Sequence, residues 1–317
     1  MPHFCHSPHR RSGSGSLLAL AAVAALTVHA SAQADTGKLL LTGGVSTIDG
    51  AAGGGLSPWA VIGSPATEGE TGFTAHVSHA RTQDYRLNAF GVTLGLNDRV
   101  ELSLARQDLD TGITGTLLGL PGLRLQQDIV GAKFRVAGDA ILDSDTWMPQ
   151  IAVGVMAKRL ASSGLDGTLQ ALGAKRSGAD VYVSATKLFL AQGLLVNATL
   201  RATQANQGGL LGHGATLGGA KNGHELMPEL SVAYLLRKDL AIGFEYRAMP
   251  DKLNKAGAAA GLGNGLRAGH WKDLFIAWAP SKNVSLTLAR VDLGTVVPAT
   301  TQQKKQTGTY LSVQFAF

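Results

Sequence analysis

From Gly72 onward, apolar side chains return at every second position over stretches of about ten residues, each ended by a turn. Val100, Leu102 and Leu104 alternate with Glu101, Ser103 and Ala105. Leu194, Val196, Ala198 and Leu200 alternate with Asn197, Thr199 and Arg201. Leu240, Ile242, Phe244 and Tyr246 alternate with Gly243, Glu245 and Arg247, and Leu311, Val313, Phe315 and Phe317 with Tyr310, Ser312, Gln314 and Ala316. A period of two puts each apolar set on one face of a strand, whereas a helix would scatter it around its axis. The pattern predicts strands over 72–81, 86–96, 99–108, 126–136, 149–159, 178–189, 193–204, 225–236, 239–248, 271–279, 283–291 and 307–317. An even set of such strands is the signature of a bacterial transmembrane barrel. The expected fold is all-β, an antiparallel transmembrane β-barrel of about 12 strands after a cleaved signal peptide.

The connections alternate in length. Asn97-Asp98, Ala191-Gln192, Arg237-Lys238 and Pro280-Ser281-Lys282 read as tight turns, while 109–125, 160–177, 205–224, 249–270 and 292–306 are long and rich in Gly, Ala and Thr. Barrels of this class have short periplasmic turns and long outer loops, which would leave both chain ends in the periplasm. Thr82 to Tyr85 is short for an outer loop, and 137–148 is long for a periplasmic turn.

Membrane energetics explain why one face of each strand is apolar. An unpaired backbone group in hydrocarbon costs several kcal/mol, so the sheet must close. Lys or Arg at the lipid midplane costs roughly 2–4 kcal/mol. Lys187, Arg106 and Arg290 break this rule, the last two near strand ends. Trp147, Tyr182, Tyr234, Tyr246, Trp271, Trp278 and Phe317 are expected in interfacial girdles, sparse ones because aromatics are only 6% of the chain.

Composition narrows the class. Hydrophobic residues make up 45% and charged residues 16%, against a usual charged share of about 25%. Beyond the N-terminal region no apolar run approaches the roughly 18 residues of a membrane helix, and 41 glycines disfavour long helices. The N-terminal region reads as a signal peptide over 1–34: Arg10 and Arg11, the apolar Leu17 to Leu26, then Ala32-Gln33-Ala34 before Asp35. The net charge of +6 falls by two to +4 without Arg10 and Arg11, and no basic stripe points to nucleic acid. Cys5, the single cysteine, lies in the signal, so the mature chain has no disulfide and no thiol chemistry.

Residues 35–71 depart from the repeat and form a Gly-rich N-terminal segment, either a periplasmic tether or a partial plug; the barrel spans 72–317. The final strand, ending in Phe317, resembles the C-terminal strand that the barrel-assembly machinery recognises. Expected partners are therefore outer-membrane lipid, that machinery and a small solute, in the bacterial outer membrane.

The stretch from Gly50 to Ile62, with Gly53-Gly54-Gly55 and Pro58-Trp59, and the strands that follow resemble a proteobacterial family of exported proteins defined only as a domain of unknown function (DUF3034). The resemblance implies a Gram-negative envelope location and brings no catalytic or ligand residues.

No catalytic residue, metal ligand or cofactor is expected. His76 and His79 point to opposite faces of a strand. His213, His224 and His270 fall in or beside outer loops and are expected to be solvent-exposed; no G-x-S-x-G or H-E-x-x-H occurs. The segment from Gly212 to Gly219 lacks the ending of a phosphate loop. Asp143-Ser144-Asp145 and Asp108-Leu109-Asp110 fall short of a calcium site.

If the apolar set meets lipid, Glu101, Lys133, Arg135, Lys158, Arg201, Glu229, Glu245, Arg247 and Asp273 face the lumen. Mixed charge permits two interiors, a salt-bridged filled barrel or a polar pore. Inward small residues (Gly91, Ser103, Gly131, Gly154, Ser184, Gly243) tip the expectation toward a pore. The expected function is a passive channel or uptake protein for small solutes. The alternatives are a structural or adhesive envelope protein with a filled barrel, using loops such as 255–269 as contact surface, and a rim hydrolase.

Overall fold

The computed structural model describes residue 38, residues 40–138 and residues 147–317. The signal peptide and Asp143-Ser144-Asp145 lie outside the described residues. Two short strands, β1 (Val45–Ser46) and β2 (Ala52–Gly53), precede twelve long ones. These are β3 (Thr71–Thr82), β4 (Arg86–Leu96), β5 (Val100–Asp110), β6 (Arg124–Ala137), β7 (Gln150–Leu160), β8 (Ser177–Phe189), β9 (Leu194–Thr203), β10 (Glu225–Arg237), β11 (Leu240–Arg247), β12 (Trp271–Ser281), β13 (Val284–Asp292) and β14 (Thr307–Ala316). Their ends fall within two residues of those read from the alternation.

Each strand pairs antiparallel with its sequence neighbour, and β14 closes the barrel on β3 through pairs such as Val313 with Val77. Closure leaves no edge strand, as hydrocarbon demands. The tight turns gather at one rim. The β4–β5 turn has positive φ at both Asn97 (52°) and Asp98 (47°), the geometry that matches a hairpin's twist. The long connections gather at the other rim and carry α1 (Gly112–Leu117), α2 (Asp166–Ala171) and α3 (Lys252–Ala259).

The outer face is a continuous apolar belt. Val77 pairs with Phe90, Leu104 with Val130, Phe134 with Val153, Val183 with Leu200, Phe244 with Leu274, and Ile276 with Leu288. Val77 is 63% exposed and Val130 56%. A closed barrel wrapped in uncovered apolar side chains is at equilibrium in lipid, not in water. The protein is an outer-membrane β-barrel. Arg106 lies on the same face, ion-paired with Asp128 across the β5–β6 register.

Two girdle assignments are corrected. Tyr182 and Trp271 are buried inside the barrel, not at its interfaces. Both share strand parity with inward residues, Ser184 and Asp273 respectively, and on a strand parity decides the face. Trp147, Tyr234, Trp278 and Phe317 are exposed.

Candidate functional site

Residues 42–66 run inside the barrel, and nearly every side chain from Val45 to Ile62 is buried. β1 and β2 form a small ladder, with Val45 opposite Gly53 and Ser46 opposite Ala52. The ladder and the segment's own turns satisfy part of its backbone, and side chains of the wall take much of the remainder. Glu101 accepts hydrogen bonds from the Ala52 and Gly63 amides (3.1 and 2.8 Å), and Lys133 donates to the Ala52 and Trp59 carbonyls (3.2 Å each). Glu101 and Lys133 are themselves paired at 2.8 Å. Ser184 and Thr199 donate to the Pro58 carbonyl at 3.0 and 2.8 Å, and the Ala60 amide donates to Thr186 Oγ1 at 2.7 Å. Across the lumen, Glu245 accepts from the Leu56 and Ser57 amides (2.7 and 3.2 Å) and from Ser231 Oγ (2.7 Å).

Asp49 is the electrostatic pin of the segment. Its Oδ2 lies 2.9 Å from Arg247, 3.3 Å from Lys158 and 3.7 Å from Arg201. Asp180 pairs with Lys158 (3.0 Å) and Arg201 (3.3 Å), and Glu229 with Arg201 and Arg247. Three acids and three bases thus form one buried network, of which only Asp49 comes from the inner segment. At the tight-turn rim, Asp98 holds Lys38 (2.6 Å) and Arg135 (3.3 Å) where the chain enters.

The two sides of the lumen differ in chemistry. The β5–β9 wall presents Glu101, Lys133, Lys158, Asp180 and Arg201. Toward β11–β14 the inner segment packs Ile48, Leu56, Trp59 and Val61 in one apolar cluster with Trp271, Phe275, Ala289, Val291 and Tyr310. Two apolar cavities lie between the segment and the strands, and both reach β12. One, about 740 Å³ with its solvent-open space included, faces the long connections and is lined by Leu56, Tyr85, Leu109, Trp271, Val296 and Tyr310, with Asp273 among them. The other, about 420 Å³, faces the tight turns between Val45, Gly54 and Trp59 of the segment and Leu188, Leu195 and Phe275 of the wall. The turn from Gly54 to Ser57, tied to Glu245, stands between them.

Of the nine residues expected in the lumen, eight are drawn into these contacts and Asp273 lines the larger cavity. Arg135 sits at the turn rim rather than mid-lumen, and Asp273 lies directly across the β11–β12 register from Glu245. The inward small residues do not leave a channel. Gly91, Gly154 and Gly243 are overlain by His76, Tyr182 and Phe275, so that a Cβ added there would come within 2.6, 2.3 and 2.3 Å of those rings. The strand residues missing from the sequence-derived set, Asp180, Tyr182, Trp271, Phe275 and Tyr310, all have inward parity and were findable from it. Asp49 sits in a Gly-rich segment without periodicity, and no sequence signal marks it.

Of the loop histidines, His213 is fully buried, against the expectation of a solvent-exposed side chain: Lys175 and His213 exchange backbone hydrogen bonds (2.9 and 2.8 Å), which turns the ring inward. Burial, with nearby Lys158 adding to it, lowers its pKa to about 4. His224 meets the Ala179 carbonyl at 2.8 Å and His270 Nδ1 accepts from the Met249 amide at 3.1 Å. Among the described residues no cluster of His, Cys, Asp and Glu is arranged to hold a metal.

A family model described as protein of unknown function (DUF3034) matches residues 42–314. The chain belongs to this family. The match takes in the inner segment together with the barrel, so the two are one unit of sequence as well as of structure. No curated protein matches the chain. Solved structures similar to it include the KdgM porin, at 10% identity and TM-score 0.46, covering 77% of this chain and 99% of that one. An outer membrane channel of Pseudomonas putida F1 (COG4313) is similar at 12% identity and TM-score 0.43, covering 80% and 96%. Outer membrane phospholipase A from Escherichia coli is similar at 10% and 0.39, covering 76% and 89%. Likenesses of this degree include both pores and an enzyme and carry no argument about activity.

Proposed function

We propose that the protein is an uptake channel for small solutes whose lumen is closed by residues 42–66, with the long connections outside the cell and the tight turns in the periplasm. The observation that carries this is a pair of apolar cavities, one lined by Gly55 and Leu56 and the other by Gly54, so that the Gly54–Ser57 turn borders both. Ion pairs from Lys158, Arg201 and Arg247 clamp the segment at Asp49, where a solute would meet fixed charge. A route through the two cavities needs the turn to move, not the network to break. The lining favours solutes with a substantial apolar part over sugars or free ions.

Single-channel conductance in planar bilayers tests this. Wild-type protein is expected to show rare, brief openings. Glu245→Ala frees the Leu56 and Ser57 amides and is expected to lengthen them, and deletion of 42–66 to give steady steps. If every variant folds, shown by heat-modifiable gel mobility, and all stay silent, the channel reading fails. A second reading, a structural barrel filled by its own N-terminal segment, is favoured by the density of hydrogen bonds to that segment and would then stand.

A further inference from the structure

The buried ionisable groups of the lumen do not balance. Asp49, Glu101, Asp180 and Glu229 are all ion-paired with Lys133, Lys158, Arg201 or Arg247. Glu245 and Asp273 remain, side by side in the register and without a cation among the described residues. Their situations differ. Glu245 is satisfied by two amides and a hydroxyl of its surroundings. Asp273 is 6% exposed, and its Oδ1 is buried without a hydrogen-bond partner. The Tyr310 ring lines the same cavity, while its hydroxyl lies toward Ser78 and Ser312. A buried polar atom without a partner is costly, and native structures keep few of them without a use.

Here the orphan carboxylate borders a mainly apolar space of about 740 Å³. Such a space takes an apolar body, and the carboxylate takes what a carboxylate accepts, a charged donor. The aromatic rings of Tyr85, Trp271 and Tyr310 line the same space, and aromatic faces attract cations. Arg247 already lies over Trp271, 5.6 Å from the ring centre, but it is engaged by Asp49 and Glu229 and leaves Asp273 free.

We infer that this cavity binds a small apolar molecule carrying a cationic amine, the amine donating to Asp273, the apolar part lying against Leu56, Leu109 and Val296. The inference names the solute class for the uptake route and rests on that reading. Since Asp273 faces Glu245 across the register, an amine here also adds a positive charge beside the carboxylate that fastens the Gly54–Ser57 turn.

Calorimetric titration of the protein in lipid nanodiscs, with empty nanodiscs subtracted, tests this with benzylamine, benzyl alcohol and benzoate as probes of nearly one shape. Benzylamine is expected to bind saturably at one site per barrel, benzyl alcohol about tenfold or more weakly, and benzoate not at all. Asp273→Asn, which keeps the shape and relieves a like-charge contact, is expected to abolish the amine preference while leaving the alcohol unchanged. Tyr310→Leu, which removes an aromatic face from the cavity, is a second variant, expected to weaken benzylamine several-fold. Absence of benzylamine binding, equal binding of all three probes, or an amine preference that survives Asp273→Asn overturns the inference. Conductance separates the two readings. Amine binding in a barrel that never conducts sinks the uptake role and leaves the site. Conduction without amine preference sinks the site and leaves the uptake role.

Discussion

Single residues decide what the lumen contains. Inward glycines look like empty space in a sequence, yet Gly154 and Gly243 are where rings from the neighbouring strand lie down: Gly154 pairs with Tyr182 and Gly243 with Phe275. Glycine lets a cross-strand aromatic cover the backbone, so small residues here mean filled volume. Gly154→Ala is expected to displace the Tyr182 ring and destabilise the barrel by about 1–3 kcal/mol, read as a lower temperature of the heat-modifiable gel transition; an unchanged transition would contradict the packing. His213 is a second case. Its pKa is near 4 when folded, below the ordinary value of 6.5, so between those values the unfolded loop binds a proton that the folded loop excludes. Stability is therefore independent of this group above about pH 6.5, falls as pH drops through that window, and levels off near 4. The groups facing the ring are Lys158, Asp180, Lys175 and His224. Hydrogen exchange across 205–213 is expected to quicken between pH 7 and pH 4 in the wild type, and His213→Gln to remove most of that pH dependence.

At the scale of elements, the segment 42–66 is a strap of irregular chain, not a folded unit. Its own turns satisfy several of its amides, as Thr47 to Ala51 and Trp59 to Ala52, and wall side chains take those of Ala52, Leu56, Ser57, Ala60 and Gly63. The acid Asp49 completes a network whose other members belong to β7, β8, β9, β10 and β11. Asp49→Ala leaves three buried cations with two acids, and breaking a buried pair in this way costs about 3–5 kcal/mol. The expected outcome is a strap that opens to protease while the barrel strands stay protected. Equal protection of wild-type and variant straps would show that the hydrogen bonds from Glu101, Lys133 and Glu245 suffice alone. The long connections behave similarly: Leu165, Leu169, Leu210, Val296 and Val297 pack into a core of their own over the barrel's mouth, with the Tyr85 and Thr114 hydroxyls joined at 2.7 Å. In α3, which overlaps the stretch 255–269 expected to form a contact surface, Ala256 and Gly257 are buried.

The whole molecule is organised by two solvents, lipid outside and its own N-terminal strap inside. The belt is expected to tolerate no charge near its middle. Leu104, central in β5 and exposed, is the test. Leu104→Arg should cost about 2–4 kcal/mol in equilibrium folding into lipid vesicles, whereas the same change at Phe317, at the end of the last strand, should cost far less. Equal effects at the two places would mean that the belt is not where the apolar pairs put it.

The sequence by itself determined the barrel, its strand number and nearly all of its strand ends. Hydrophobic alternation is local, it is imposed by lipid on every strand separately, and it needs no knowledge of which strand is whose neighbour. The inward set was equally legible wherever parity was followed, and was misread at Tyr182 and Trp271, where residue type was weighed above parity. What lies inside the barrel was decided only by the tertiary structure. The strap has no periodicity because its partners are scattered over the wall, from Glu101 to Glu245, and complementarity between distant residues leaves no mark on either stretch alone. The same holds for the unpaired Asp273. An acid on an inward face is visible in the chain, but that every nearby cation is already taken is a property of the assembled lumen.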